Sequence, residues 1–349
     1  DCHIGLGARM GQFAGWELPL TYAGVLPEVR AVRTEVGVFD VSHLAQLLVS
    51  GRDATANLDR LLTNRVADVK VGRAVYSPMC NENGGVVDDL IAYRLGEQDW
   101  LCLVNASQAE CDRDWMQRHA SGDASFALRW EAVIAVQGPL SRTLVSGALA
   151  DFAALLPRNG FMQEELDGAE VIIACTGYTG EDGFEIVAPP AAAPGIWTTL
   201  IEAGGVPCGL AARDVCRLEA ALPLYGHELT EDRSPLACGI AWAVKLDKTE
   251  FVGKAALQDL AESGNAPRLV GLATTDRAVP RAGYEVVRSG AVVGEVTSGT
   301  FSPTLGKGIA LACVEQPAPA VGEQVEIRIR QRLHAATVVS LPFYRSESR

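Results

Sequence analysis

Residues Asn81–Arg94 read NENGGVVDDLIAYR. Asparagines followed by Gly-Gly signal a turn, and a β-branched apolar run follows it. Residues 74–80 before the turn also read as a strand, so 74–80 and 86–93 are expected to pair as a hairpin. Inside the second strand sit two adjacent carboxylates, Asp88 and Asp89. Taking an ionised carboxylate out of water costs roughly several kcal/mol. Neighbours along a strand point to opposite faces. Asp89 therefore shares a face with Ile91 and Tyr93, and Asp88 shares the other with Leu90 and Ala92. Two readings stay open: one aspartate is a site carboxylate beside an aromatic wall, or both are paired or solvated near the hairpin end.

Working outward, the spacing of Leu58, Leu61 and Leu62 predicts a helix over 54–63. Residues 101–107 read as a strand, and Ser107 is placed to cap a helix over 108–120 with acids early and basic residues late. Pro139 suits the first turn of a further helix. A second strand–turn–strand unit spans 171–189, VIIACTGYTGEDGFEIVAP, and a helix follows over 190–203. Residues 207–226 read as a loop entering a helix, and 232–262 as a linking strand and a helix. From about 265 the pattern becomes short strands with Gly and Pro turns, which predicts an all-β C-terminal domain.

The chain has 349 residues, too long for one compact core, so two or three domains are expected. Its net charge of −13, with no local Lys/Arg cluster, argues against nucleic acid as a partner. No apolar run approaches the roughly 18 residues that would span a membrane. The visible N-terminal stretch has no signal-peptide pattern. Nine cysteines without a C-x-x-C pair read as free thiols in a reducing compartment. The five histidines lack a metal-binding spacing, so no metal is expected. The early glycines of GLGARMG, 5–11, have no strand before them, which argues against a dinucleotide-binding loop.

Three clusters carry candidate chemistry. The aspartate pair is the first. In TGYTGEDGFE, Glu185 is either a surface strand acid or a carboxylate able to accept two parallel N–H bonds from a planar heterocycle. Glu181 and Asp182 of that loop are expected on a solvated turn. In AARDVCRLEA, Asp214 and Arg217 are spaced for an i,i+3 ion pair, and Arg213 at the mouth of a helix would clamp a carbonyl or carboxylate. His43 and His227 read as hydrogen-bonded structural histidines.

Read together, FAGWELPLTY, VRTEVGVFDVSH, YSPMCNENGGVVDDLIAYR, AVQGP, TGYTGEDGFEI, PCGLAARDVCRLEAALPLYGHEL and TSGTFSPTLGKGIALA resemble, in order and along nearly the whole chain, the aminomethyltransferase or T-protein family of the glycine cleavage system. The resemblance implies an α+β fold of three domains in a cloverleaf, with mostly antiparallel sheets and a C-terminal β-barrel. The implied domains are 1–47 with 131–237 (folate-binding), 48–130 with 238–268 (carrying the catalytic Asp), and 269–349 (barrel). It implies transfer of a methylene group from aminomethyl-dihydrolipoyl H-protein to tetrahydrofolate with release of ammonia. The partners would be lipoylated H-protein and folate, and the location the cytoplasm, or the mitochondrial matrix in a eukaryote.

By the same resemblance, Asp89 is the catalytic carboxylate, and Glu185 and Arg213 recognise the pterin. Tyr178 packs on the ring, Tyr93 and Tyr76 form a wall, and Leu44 and Leu48 line the apolar side. The tail LPFYRSESR, with Arg345, closes the pocket. The chain departs from the family pattern at Leu44 and Ala45, at AARD, at Cys175, and in PRNG before Phe161, where aromatic residues are common. The alternatives are a tetrahydrofolate-dependent demethylase of a small methylated donor and a non-catalytic folate-binding protein.

Overall fold

A computed structural model describes residues 1–346. The predicted hairpin is present: Ala74–Cys80 pairs antiparallel with Val86–Arg94. Its turn depends on glycine twice over. Gly84 has φ +82°, and a Cβ on Gly85 would stand 1.6 Å from the Glu231 carbonyl oxygen. A bulge at Met79/Cys80 opposes two residues of Val86–Arg94 to one, then Asp88 faces Met79 and Asp89 faces Pro78. Pro78 is tolerated because Ala74–Cys80 is the edge of its sheet.

That sheet has five strands, in the order Ala74–Cys80, Val86–Arg94, Trp100–Val104, Ala45–Ser50, Ser125–Arg129. One face packs Leu47, Val49, Leu90, Ala92 and Cys102 against Leu58 and Leu61 of helix Ala54–Leu61 and Met116 of helix Ala109–His119. The other face turns Tyr93, Leu101 and Leu103 towards a second sheet. This one has six strands, ordered Phe161–Leu166, Ala169–Ala174, Gly183–Ala188, Ala132–Gln137, Gly37–Asp40, Val206–Pro207. All its pairs are antiparallel except the last. Val133, Ala135, Ala174 and Val187 meet the first sheet, while Ile134, Val136, Ile173 and Ile186 on the reverse face pack on helices Ser141–Ala148 and Ala193–Glu202. Strands buried on both faces explain the near-continuous apolar runs at 132–136 and 171–174.

The C-terminal region is a closed six-stranded barrel in which Arg268–Thr274 pairs with both Lys307–Val314 and Arg332–Val339. Ile309 and Leu311 on its outside pack on Leu218 of helix Leu210–Glu219 and on Leu341 and Phe343. The fold is thus α+β with mostly antiparallel sheets and a terminal barrel, as the sequence implied.

Local expectations fare unevenly. The helix after Trp100–Val104 spans Ala109–His119, and Gln108 rather than Ser107 stands at its N-cap with no side-chain cap bond. Pro139 precedes its helix, which starts at Ser141. No linking strand forms over 232–262. Two short 3-10 turns, Pro235–Ala237 and Ala241–Ala243, occupy that place before helix Lys254–Ser263. Ser234 accepts from the Leu236 N–H and Pro235 starts the first turn, a local pattern that competes with strand pairing.

Candidate active site

The two sheets, helix Leu210–Glu219 and the barrel surround one cavity of about 1230 Å³. Asp89 and Ile91 reach it from the first sheet, Glu185 from the second, Arg213 from the helix, and Leu269, Leu341 and Pro342 from the barrel side. No single element contains the site; the packing of all three units creates it.

The aspartates are not equivalent. Asp89 lines the cavity, whereas Asp88 is fully buried on the opposite face. Tyr76 donates its hydroxyl to Asp89 Oδ2 at 2.9 Å, and Asn105 Nδ2 donates to Oδ1 at 3.1 Å. Burial and then the neighbouring Asp88 charge push the Asp89 carboxyl up to about 7, against the pull of those two donors. Burial also raises the Tyr76 phenol, so it stays a donor. A carboxylate poised near neutrality, held by two donors and facing a cavity, has the properties of an acid–base and charge-stabilising group.

Glu185 is only 3% exposed, so it is not a surface acid. Thr176 Oγ1 donates to its Oε2 at 2.7 Å. Tyr93 reaches the same pair, with its hydroxyl 3.1 Å from Thr176 Oγ1, and hydrogen-bonds to Glu185. Its ring belongs to the core between the sheets and packs edge-on to Phe161 at 5.5 Å. Tyr93 therefore anchors Glu185 rather than forming a cavity wall beside Asp89. The Arg213 guanidinium stands 4.9 Å from the centre of the Tyr178 ring. Its Nη1 is buried without a hydrogen-bond acceptor, and burial lowers its proton affinity. A guanidinium N–H left unpaired at a cavity wall calls for an acceptor on whatever fills the cavity. The Tyr178 hydroxyl donates to the Pro223 carbonyl, which fixes the ring beside the Arg213 guanidinium.

Other sequence-derived residues are placed as follows. Tyr76 and Leu44 line the cavity. Leu48 does not: it sits on strand Ala45–Ser50 opposite Leu101 and Ala127, packed on the core between the sheets. Arg345 is exposed and donates to the Leu341 carbonyl at 3.4 Å. The tail does reach the cavity, but through Leu341 and Pro342; its last residues, 347–349, lie outside the described residues.

Glu181 and Asp182 are not on a solvated turn. Arg33 binds Glu181 at 2.8 Å and Glu219 at 2.9 Å, and Arg142 binds Asp182 at 2.5 Å. These partners are far away in sequence, which is why local spacing missed them. Arg217 does pair with Asp214, and also holds the buried Glu228. His227 bonds the Thr297 carbonyl at 3.0 Å, as a structural histidine does. His43 lines the cavity, and burial followed by the nearby Arg213 charge pushes it down to about 4, so it is a neutral ring there.

Sequence reading missed Asn105, Thr176 and Trp242. Asn105 follows strand Trp100–Val104, whose register sets Ile91 opposite Leu103 and so carries Asn105 beside the aspartates. That register was the available signal. Trp242 lines the cavity 5.6 Å from the Tyr76 ring, on a turn expected to be extended. Of the departures from the family pattern, Cys175 lines the cavity and accepts from Arg142 Nη2 at 3.2 Å, and Arg158 and Asn159 line it where the family commonly carries aromatics. Among the described residues, no group of three or more His, Cys, Asp or Glu is placed to hold a metal ion. Among them, too, no helix is long and apolar enough to cross a membrane.

A carboxylate poised near neutrality, with the buried Glu185 and Arg213 on another side of the same large cavity, has the make-up of an enzyme site. Residues 1–248 match the family model of the GCVT N-terminal domain, and 268–345 that of the glycine cleavage T-protein C-terminal barrel domain. The aminomethyltransferase of Bacillus subtilis is 43% identical over 99% of this chain and 98% of its own length. That of Rubrobacter xylanophilus is 47% identical over 98% and 92%. The crystal structure of glycine cleavage system aminomethyltransferase T from Bartonella henselae superposes with a TM-score of 0.93 at 34% identity, covering 99% of this chain and 96% of that one. The chain belongs to the glycine cleavage T-protein family, and it is a one-carbon transferase of the aminomethyltransferase type.

Proposed function

We propose that this enzyme moves the methylene carbon of an aminomethyl group, carried on the dihydrolipoyl arm of H-protein, to tetrahydrofolate and releases ammonia. The observation that carries the reading is the meeting of Asp89, Glu185 and the unpaired Arg213 Nη1 around one cavity of about 1230 Å³. The residues fit the folate. Glu185 offers a carboxylate to adjacent ring N–H groups, Arg213 offers N–H donors to a ring carbonyl, and Tyr178 offers a face. Tetrahydrofolate supplies the nitrogens that accept the one-carbon unit.

The chain's own residues do the rest. As the C–S bond to the lipoyl sulfur loosens, positive charge grows on the transferred carbon, and the preorganised Asp89 carboxylate stabilises it. With a proton affinity near neutrality, Asp89 also takes and returns protons at the reacting nitrogens. Tyr76 and Asn105 keep its two oxygens oriented. Leu44, Ile91 and Leu103 give the cavity an apolar side that excludes water. The proposed lobes are 1–47 with 131–237, 48–130 with 238–268, and the barrel from 269 onward. All nine cysteines are free, which supports a reducing compartment such as the cytoplasm or the mitochondrial matrix. A demethylase of a small methylated donor is not favoured, because the relatives matching across the whole chain are aminomethyltransferases. The test combines purified enzyme, tetrahydrofolate and aminomethyl-loaded H-protein. Ammonia and methylene-tetrahydrofolate are expected in equal amounts; no ammonia overturns the reading.

A further inference from the structure

Asp112 lies in the first turn of helix Ala109–His119 and is 0% exposed. Among the described residues, no N–H or O–H group donates to either of its carboxyl oxygens. It instead shares a hydrogen bond with the carboxyl of Asp88, also 0% exposed. Two ionised carboxylates cannot make such a contact in a dry interior, so one of them keeps a proton. The donors decide which one. Asp88 receives Asn105 Nδ2 on Oδ1 at 2.7 Å and the Asn105 backbone N–H on Oδ2 at 3.3 Å, whereas Asp112 receives nothing. N–H donors favour the ionised form, so the proton belongs on Asp112. Burial raises both carboxyls, Asp112 to about 11, so the donors alone tell the two apart.

Asn105 links this pair to the cavity. The same Nδ2 that binds Asp88 donates to Asp89 Oδ1 at 3.1 Å. We propose that Asp112 is a positioning residue that stays protonated, that its O–H holds Asp88 as a carboxylate, and that Asp88 acts through Asn105 to hold Asp89 in place. The fixed negative charge on Asp88 is also the like charge that makes Asp89 slow to give up its proton. The other titratable groups facing Asp112 are Asp89, Cys111, Cys102 and Tyr225. Burial pushes Cys102 and Tyr225 each up to about 12, so neither competes for charge near neutrality.

The catalytic part of this inference rests on Asp89 being the working carboxylate; the electrostatic part does not. The decisive experiment follows the Asp89 carboxyl by NMR in the full chain labelled with carboxyl-13C aspartate, the signal being assigned with D89N. D112N replaces one neutral donor by another and should leave the Asp89 midpoint unchanged. D88N removes the like charge and should lower it by about one pH unit or more. D112A takes the donor from Asp88, which then protonates itself, and should lower the midpoint too. Turnover should fall about tenfold in D112A, with most of it recovered in D112N. Should D112A not fold, D112N and D88N decide alone. A midpoint lowered in D112N would show that Asp112 is charged, and an unmoved midpoint in D88N would show that Asp88 does not act on Asp89; either overturns the proposal. Full turnover in D89N would instead remove the catalytic role of Asp89 while leaving the titration result standing.

Discussion

Tyr76 and Asp89 are diagonal neighbours across the hairpin: Tyr76 faces Ile91 and Asp89 faces Pro78, yet the Tyr76 hydroxyl donates to Asp89 Oδ2 at 2.9 Å. The diagonal places a phenol two residues along on the same face, within reach of a short acid. The bond stabilises the ionised carboxylate. Tyr76→Phe should therefore raise the Asp89 midpoint further above about 7. A donor to a charged group is worth about 1.5–3 kcal/mol, so the acid limb of kcat/KM should move up by about one pH unit or more. An unmoved limb would remove Tyr76 from the electrostatics of the site.

Asp89→Asn should keep folate binding and lower turnover by a factor on the order of 10² or more. Asp88→Asn should cost less, since Asp88 does not line the cavity. Equal losses in single-turnover assays would show that the two strand faces do not divide the labour.

The raised proton affinity of Asp89 has a sign in stability. Its folded value is about 7 against an ordinary 3.8, so the folded state binds the proton more tightly than the unfolded chain does. The stability from this group is full below about pH 4 and declines as pH rises to about 7. Asp89→Asn lacks that titration. Its Tm relative to the parent enzyme should be several degrees higher at about pH 8 than at about pH 4. A difference independent of pH would contradict the raised value.

Glu185→Ala and Arg213→Met should each weaken tetrahydrofolate binding about tenfold or more, measured by calorimetry with the full chain. An unchanged dissociation constant for either variant takes that residue out of folate recognition.

Arg33 is 6% exposed and joins the buried Glu181 and Glu219, with the Tyr344 ring 4.2 Å from its guanidinium carbon. Arg33→Leu takes the cation from the buried Glu219 and one partner from Glu181, and should destabilise the fold by about 3–5 kcal/mol in denaturant titrations. A loss below about 1 kcal/mol would show that these acids find other donors.

Much of the architecture was legible because it is local. The Gly-Gly turn at 84–85 and the apolar run after it dictate a hairpin, since Gly84 takes the left-handed φ of +82° that the turn requires. Strand alternation separated Asp88 from Asp89, and the bulge before them left their relative phase intact. The change of pattern near 265 marked the barrel, whose first strand starts at Arg268. Likewise, the ordered motifs identified the family.

Tertiary structure decided everything that depends on a partner distant along the chain. Glu181 looked like a turn acid until Arg33, 148 residues earlier, was packed against it. Tyr93 looked like a cavity wall, but the sheet interface draws its ring inward and leaves only its hydroxyl for Thr176 and Glu185. Asn105 and Asp112 carry no motif; strand register and a helix face bring them to Asp88. Sequence alone determined that two aspartates would stand on opposite faces of one strand, because the peptide repeat of two is local. Only packing decided which face is a cavity, which acid keeps its proton and which is left free to react, because desolvation and donor placement depend on the whole fold.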